Sequence, residues 1–445
     1  MRRRLLLVPD GMADEPQEAL GGRTPLEAAD TPAMDALARG GTAGLVQTVP
    51  PGMPAGSDVA NLSALGYDPR AVYTGRSPLE AASIGVELGP GDVAYRCNLV
   101  TVVDGVMKDH TAGQVSSAEG RRLVAALQAA LGGGAFEFHP GVSYRNLMVW
   151  RGGAVVPCTP PHDILDRPVA GYLPGAVGEA AAEGGAAGAS EGGAAGAAEG
   201  PAAGTAAAEL RELLAAARGV LAPLRPGTEM WLWGEGTAPR LPAFRELHGL
   251  SGAVVGAVDL VRGIGRCAGL TVLDVPGATG DLDTDYGAKA RAALEALEDH
   301  EFVWVHVEAP DEASHQGDLA EKIRAIERVD HEVLAPLLAA ADPPAVMVLP
   351  DHHTPLRLRT HAADPVPFVI GVPPRCAPAG GATAAGAGAD AGGAAVSGAG
   401  PDAAARGPGR AGAGGLAFGE SEAAGTGLTV ATGPDLMRLF LTATG

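Results

Sequence analysis

The chain has 445 residues, of which 66 are Gly and 36 Pro; 46% are apolar, and the formal charge is −20. At about 100–200 residues per domain, the length predicts two or three domains. The apolar share excludes a wholly disordered chain, and the acidic surplus argues against a binder of nucleic-acid backbones. No run of about 18 apolar residues free of charge is present, so no membrane span and no membrane partner is predicted.

Leu5 to Val8 reads as a buried strand that runs into Asp10-Gly11. Arg2 to Arg4 resemble the basic opening of a signal peptide, but the apolar stretch behind them is short and ends in an acid. A Pro/Gly loop, Pro51 to Gly56, leads through Ser57-Asp58 into a helix-like stretch from Val59 to Leu65. A serine placed there most often caps the helix. The alternative is a nucleophile whose phosphoryl adduct would sit in the positive field of the helix N-terminus. Leu99 to Val103, Leu147 to Trp150 and Met230 to Trp233 read as strands, and Leu123 to Leu131 and Leu210 to Leu221 as helices. Lys289 to Leu297 and Leu319 to Leu338 follow as helices, with Phe302 to Val307 and Val346 to Leu349 as strands. This alternation predicts an α/β chain. Two Ala/Gly-rich segments, Gly175 to Ala208 and Ala377 to Gly415, hold little that could bury area and are predicted to be flexible insertions.

Cys97, Cys158, Cys267 and Cys376 are scattered and form no C-x-x-C pair, which predicts a reducing, cytosolic setting. Only Lys108, Lys289 and Lys322 among the 32 basic residues are lysines, so arginine carries most of the anion binding. Gly234-Glu235-Gly236, Gly263-Ile264-Gly265 and Gly277-Ala278-Thr279-Gly280 lack the remaining residues of a dinucleotide or Walker loop.

Three strands end in acids: the first in Asp10, the fifth in Glu308-Ala309-Pro310-Asp311 and the sixth in Pro350-Asp351-His352-His353. Ligands of an open parallel sheet bind at the carboxyl ends of its strands, so chemistry is expected where these acids converge. Residues from both ends of the chain would then build one site, which calls for one domain split by an insertion. Asp311 and His315, four apart, fall on one face of a helical turn. Such a pair alone is more often solvated or a cap, but three clusters at strand ends in one chain point to a two-metal site. Carboxylate with imidazole suits Mn²⁺ or Zn²⁺ better than Ca²⁺.

Several stretches together resemble a known family. They include Asp10-Gly11-Met12-Ala13-Asp14, Arg23-Thr24-Pro25-Leu26-Glu27-Ala28-Ala29, Gly56-Ser57-Asp58-Val59-Ala60 and Leu65-Gly66-Tyr67-Asp68-Pro69. Tyr73-Thr74-Gly75-Arg76-Ser77-Pro78-Leu79-Glu80-Ala81, Glu308-Ala309-Pro310-Asp311-Glu312-Ala313-Ser314-His315 and Asp351-His352-His353-Thr354-Pro355 complete the set. The chain resembles the archaeal-type cofactor-independent phosphoglycerate mutases of the alkaline phosphatase superfamily. Ser77 and Ser314 stand where that pattern usually has Gly, and neither removes a ligand.

The resemblance implies an alkaline-phosphatase-like α/β/α metal-binding domain, residues 1–83 and 256–445, with a second α/β domain, 84–255, inserted in it. It implies two divalent ions, Mn²⁺ foremost with Mg²⁺, Co²⁺ or Zn²⁺ as alternatives, and no 2,3-bisphosphoglycerate. Asp10, Ser57, Asp351 and His352 would hold one ion, and Asp311, His315 and His361 the other. His361 is the open assignment, because His353 lies nearby. Ser57 would take the phosphoryl group of 3-phosphoglycerate and return it to the other hydroxyl of glycerate. Arg76, Arg96, Arg145, Arg262 and Lys289 are the candidate substrate-binding cations, and His162-Asp163 and Asp109-His110 are weaker candidates for proton transfer. The partner implied is a small molecule, and a homo-oligomer is compatible with it. The rival readings are a phosphatase or other phosphomutase of the superfamily, and a catalytically silent scaffold.

Overall fold

The computed structural model describes residues 2–176, 201–373 and 417–444. In chain order, β1 (Arg4–Pro9) and β2 (Thr42–Val46) enter a first sheet. The chain then builds β3 (Val93–Val103), β4 (Val106–Asp109), β5 (Phe136–Val142), β6 (Arg145–Trp150) and β7 (Thr228–Thr237) of a second sheet. It returns to the first with β8 (Gly252–Val255), β9 (Thr271–Val272), β10 (Phe302–Val307), β11 (Ala345–Val348), β12 (Val366–Gly371) and β13 (Thr429–Val430).

The first sheet has the order β13-β2-β12-β11-β1-β10-β8-β9, in which β12 runs antiparallel to both neighbours. Alternation of side chains along β1 explains its layers. Leu5 and Leu7 join a core with Val303, Val305, Val346 and the helix Tyr286–Asp299. Leu6 and Val8 join another with Trp304, Met347 and the helices Asp259–Cys267 and Gly433–Ala443. Both faces are therefore covered by helices, the arrangement that near-continuous apolar strands require. All six strands and all four helices expected from the sequence are present. The last of these helices has three parts: Leu319–Arg328, a π-helical turn Val329–Leu334, and Ala335–Leu338. Asp330 on the π turn accepts from the backbone N–H groups of Ala33 (3.0 Å) and Met34 (2.8 Å), at the start of helix Pro32–Gly40.

The second sheet is antiparallel, with β3 paired to β4, β6 and β7. The helices Ser117–Leu131 and Pro201–Leu221 pack into one core with residues of β3, β6 and β7. This corrects the expected flexibility of 175–208: residues 201–208 begin the second helix. Alanine is the strongest helix former, and Ala206, Leu210, Leu213, Ala217 and Leu221 recur at helical spacing on the buried face. Residues 177–200 and 377–415 lie outside the described residues. A second difference concerns the insertion's end at 255: β8 already belongs to the first sheet, and Phe244 stacks on Phe302 at 4.6 Å. Its four apolar residues pair in parallel with β9 and β10 and end in no polar cluster that would mark them.

The two crossings between the sheets run side by side. Thr74 Oγ1 donates to the carbonyl of Thr237 at 2.6 Å. Gly75 sits at φ 132°, and a Cβ there would lie 2.0 Å from the Glu235 carbonyl oxygen, so only glycine fits. The Glu235 carboxylate accepts from Cys158 N–H at 3.2 Å, and its other oxygen is buried without a hydrogen-bond partner among the described residues. Burial pushes its pKa up to about 7. The folded chain thus holds a proton that the unfolded chain releases above about 4.5, so stability from this group is lost as pH rises through the interval between those values. Glu235→Gln is expected to melt near the wild type at pH 5 and above it at pH 8. Parallel melting curves across that range would contradict this.

Candidate active site

β1 lies between β10 and β11, so the carboxyl ends of these three strands are neighbours, with Pro9 opposite Val307 and Leu7 opposite Val348. Asp10, Asp311 and Asp351 follow them into one depression. Gly11 permits the approach: at φ 59°, a Cβ there would meet Asp311 Oδ1 at 2.4 Å and Thr354 Oγ1 at 2.5 Å. Its N–H and that of His352 both donate to Asp351 Oδ1, at 3.1 and 3.0 Å.

Three imidazoles turn one edge each to the same point. His315 Nδ1 donates to the Arg359 carbonyl at 2.9 Å and His361 Nδ1 to the Ala55 carbonyl at 3.1 Å. Thr354 Oγ1 donates to Asp311 Oδ1 at 2.6 Å, which assigns His352 Nδ1–H as the donor to Thr354 at 3.1 Å. All three Nε2 lone pairs are left facing inward. His315 Nε2 is 3.1 Å from His361 Nε2 and 3.0 Å from Asp311 Oδ2. His352 Nε2 is 3.4 Å from both Asp10 Oδ1 and Asp351 Oδ2, and 3.0 Å from Ser57 Oγ. His353, the rival of His361, instead directs Nε2 to the Pro365 carbonyl.

Ser57 is the first residue of helix Ser57–Ala64, whose cap is Gly56, and its hydroxyl faces His352 Nε2 at 3.0 Å. The capping alternative for this serine is therefore not realised. Asp351, His352 and His306 are fully buried at the base, whereas His315 lies at the exposed mouth. His306 was missed by the sequence reading, as were Asn61 and Thr354. All three lie next to recognised motif residues, but neutral or strand-interior positions carry no signal of their own.

The donor set fits divalent cations. Asp10 Oδ1 is buried without a hydrogen-bond partner among the described residues, and burial together with the charges of Asp351 and Asp311 pushes the Asp10 pKa well up. Burial also acts on Asp311, but His361 and His315 outweigh it and hold Asp311 well below the carboxylate range. His315 is likewise raised to about 9 against its own burial, chiefly by Asp311. Facing lone pairs and crowded carboxylates are reconciled by a proton or, better, by a metal ion. Among the described residues, Asp311, His352 and His361 form one group able to hold an ion, and Asp10, His306 and Asp351 another.

The expected arginines divide. Glu80 receives Arg76 (2.9 Å) and the buried Arg96 (3.0 Å), and Arg96 lies over Trp233. Burial pushes Arg96 down to about 10, opposed by Glu80. Arg145 stacks on Tyr144 and its charge reaches Glu80. His162 packs edge-on to Trp233 and His110, and burial, then the charges of His110, Arg96, Arg76 and His315, lowers it to about 4. Arg76, Arg96, Arg145 and His162 thus form one polar wall around Glu80 and Trp233. Lys289 does not belong to it: fully buried on helix Tyr286–Asp299, it donates to Glu308 (2.7 Å) and the His306 carbonyl (2.9 Å), because a buried lysine needs a countercharge. Arg262 pairs with Asp274 and the Leu273 carbonyl and lines a separate cavity of about 340 Å³ with Gly256, Asp259 and Pro276. Both of these candidate cations are thus engaged by carboxylates apart from the Arg76, Arg96 and Arg145 group.

A family model for 2,3-bisphosphoglycerate-independent phosphoglycerate mutase matches residues 38–223. The protein of that name from Methanothrix thermoacetophila is 48% identical over 370 residues, covering 82% of this chain and 90% of its own. Its namesake from Methanosarcina barkeri is 47% identical over 371 residues, covering 82% and 89%. Among solved structures, a Pyrococcus horikoshii protein aligns with a TM-score of 0.71 at 27% identity, over 100% of this chain and 98% of its own. The cofactor-independent phosphoglycerate mutase of Thermoplasma acidophilum gives 0.53 at 28%, over 83% and 89%. On this evidence the chain belongs to the 2,3-bisphosphoglycerate-independent phosphoglycerate mutase family.

Proposed function

We propose that this phosphoglycerate mutase moves the phosphoryl group through Ser57, between the 3- and 2-hydroxyls of glycerate. The observation that carries the reading is the position of Ser57 Oγ, 3.0 Å from His352 Nε2, at a helix N-terminus that opens onto the metal-ligand cluster. Asp10, Ser57, Asp351 and His352 would hold one divalent ion and Asp311, His315 and His361 the other. Such ions, Mn²⁺ foremost, lower the pKa of a bound hydroxyl and neutralise charge on transferring phosphoryl oxygens.

Ser57 Oγ forms a bond to phosphorus as the bond to the substrate's 3-oxygen breaks, and the proton given up by the Ser57 hydroxyl ends on that oxygen, which leaves as a hydroxyl. Backbone N–H groups at the start of helix Ser57–Ala64 favour the charge of the phosphoserine. Glycerate turns while held, and its 2-oxygen takes the phosphoryl group back as its proton leaves. Arg76, Arg96 and Arg145 suit the carboxylate, because a planar guanidinium can grip it with two parallel bonds. The second sheet would close over the first and exclude water, which would otherwise divert phosphoserine to hydrolysis. We assign it to an inserted domain that begins after residue 83. The three free thiols among the described residues, Cys97, Cys158 and Cys267, agree with a cytoplasmic setting.

Purified protein with Mn²⁺ and 3-phosphoglycerate is expected to feed a coupled enolase assay without added 2,3-bisphosphoglycerate. Inorganic phosphate without 2-phosphoglycerate would make it a phosphatase. Ser57→Ala is expected to lower turnover by about 10³-fold or more with ion content near two per chain, and normal turnover would exclude the covalent route. Asp311→Asn is expected to reduce bound Mn²⁺ from about two to about one per chain by elemental analysis, and a full complement would remove Asp311 from the ligand set.

A further inference from the structure

The fully buried Asn61 lies one helical turn beyond Ser57 and is joined to groups from distant parts of the chain. Its Nδ2 donates to the Ser57 carbonyl and to Asp351 Oδ2, both at 2.9 Å. Ser57 and Asp351 are brought by different elements; the His352 ring reaches the Ser57 hydroxyl, whereas Asn61 ties the Ser57 backbone to the Asp351 carboxylate. The same nitrogen lies 3.5 Å from His306 Nε2. The other edge of the His306 ring, Nδ1, faces Glu308 Oε1 at 3.4 Å.

Glu308 is itself fixed. It receives Lys289 Nζ at 2.7 Å and the N–H groups of Ala257 and Val258 at 3.3 Å, and Lys289 also donates to the His306 carbonyl. Lys289 donates to Glu308, His306 Nδ1 faces Glu308, and the two N–H bonds of the Asn61 amide go to the Ser57 carbonyl and to Asp351 Oδ2. The Ser57 carbonyl and Asp351 Oδ2, both acceptors, orient the Asn61 amide with its nitrogen toward Asp351. An inverted amide would set its oxygen against the Asp351 carboxylate, His306 Nε2 and the Ser57 carbonyl.

We infer that Asn61 is a positioning residue, backed by His306, Glu308 and Lys289, which locks the Ser57 turn to Asp351 and so fixes the inner ion's ligands relative to the nucleophile. The inference rests on the two-ion reading of the site. It gives the buried Lys289–Glu308 pair, of no use as a substrate contact, a part in the reaction at one remove. Polar groups that orient metal ligands typically govern affinity by about 10–100-fold.

The test is retention of Mn²⁺ by the loaded, full-length chain during titration with a chelator, beside kcat and KM for 3-phosphoglycerate. Asn61→Leu, close in size but without a donor, is expected to release one of two ions at about 10–100-fold lower chelator concentration. The second ion should leave as in the wild type, and kcat should fall with KM within a few-fold. Asn61→Ser, which keeps one shorter donor, is expected to fall between, and it decides the matter alone if the leucine variant does not fold. The inference is overturned if the folded variants retain both ions as the wild type does, or lose both together. A wild-type chain that holds fewer than two ions would instead overturn the two-ion reading beneath it.

Discussion

Like charges gathered at the ends of adjacent parallel strands dominate this molecule. Asp10, Glu308, Asp311 and Asp351 follow three strands hydrogen-bonded side by side, where burial leaves little water to screen them. Around them the fold supplies three imidazoles with their outer nitrogens already tied to oxygen, one buried lysine on Glu308, and space for further positive charge. A second buried pair, Lys322 with Asp14 at 2.7 Å, stands beneath the same loop, with Lys322 also donating to the Thr354 carbonyl. Thr354 in turn fixes both His352 and Asp311. Lys289, a candidate for anion binding in the sequence, thus acts as an internal counterion, as does Lys322.

That division of labour leaves the guanidinium groups for the substrate side. Arg76 and Arg96 share Glu80, so their geometry is set before any ligand arrives, and Trp233 supports the second of them. Preorganised donors lose less freedom on binding than solvated ones. The acidic character of the chain as a whole is no obstacle to an anionic substrate when positive charge is concentrated at this wall and would be supplied at the strand ends by the proposed ions.

The sequence was most legible where chemistry and periodicity coincide. Asp10, Ser57, Asp311, Asp351 and His352 stand at strand ends or helix starts in distinctive strings, His315 is marked by its spacing from Asp311, and His361 is named with them through the family resemblance; the structure brings the seven side chains close together. Buried strands of β1, β10 and β11 could be read from unbroken apolar runs. Positions whose role depends on a distant partner were not legible: nothing in Lys289 announces Glu308 as its countercharge, and nothing in Arg262 announces Asp274. Asn61 resembles any polar residue in a helix until Asp351 arrives from 290 positions away. The Ala-rich start of helix Pro201–Leu221 was mistaken for linker because small residues bury little area singly, although a long helix can still seat them against a sheet.

The position of β1 also has a consequence for how the chain reaches its final form. Leu5 pairs with Val303 and Val346, so β1 remains without its two neighbours while about 300 further residues are synthesised. The second sheet, whose strands all lie between 93 and 237, needs no residue from either terminus for its pairing and can form during that wait. Sequence separation of this size slows folding and prolongs exposure of apolar strand edges. The catalytic depression, built on β1, β10 and β11, is therefore among the last features to exist on a nascent chain, and a truncated product would present a folded second sheet without the site it serves.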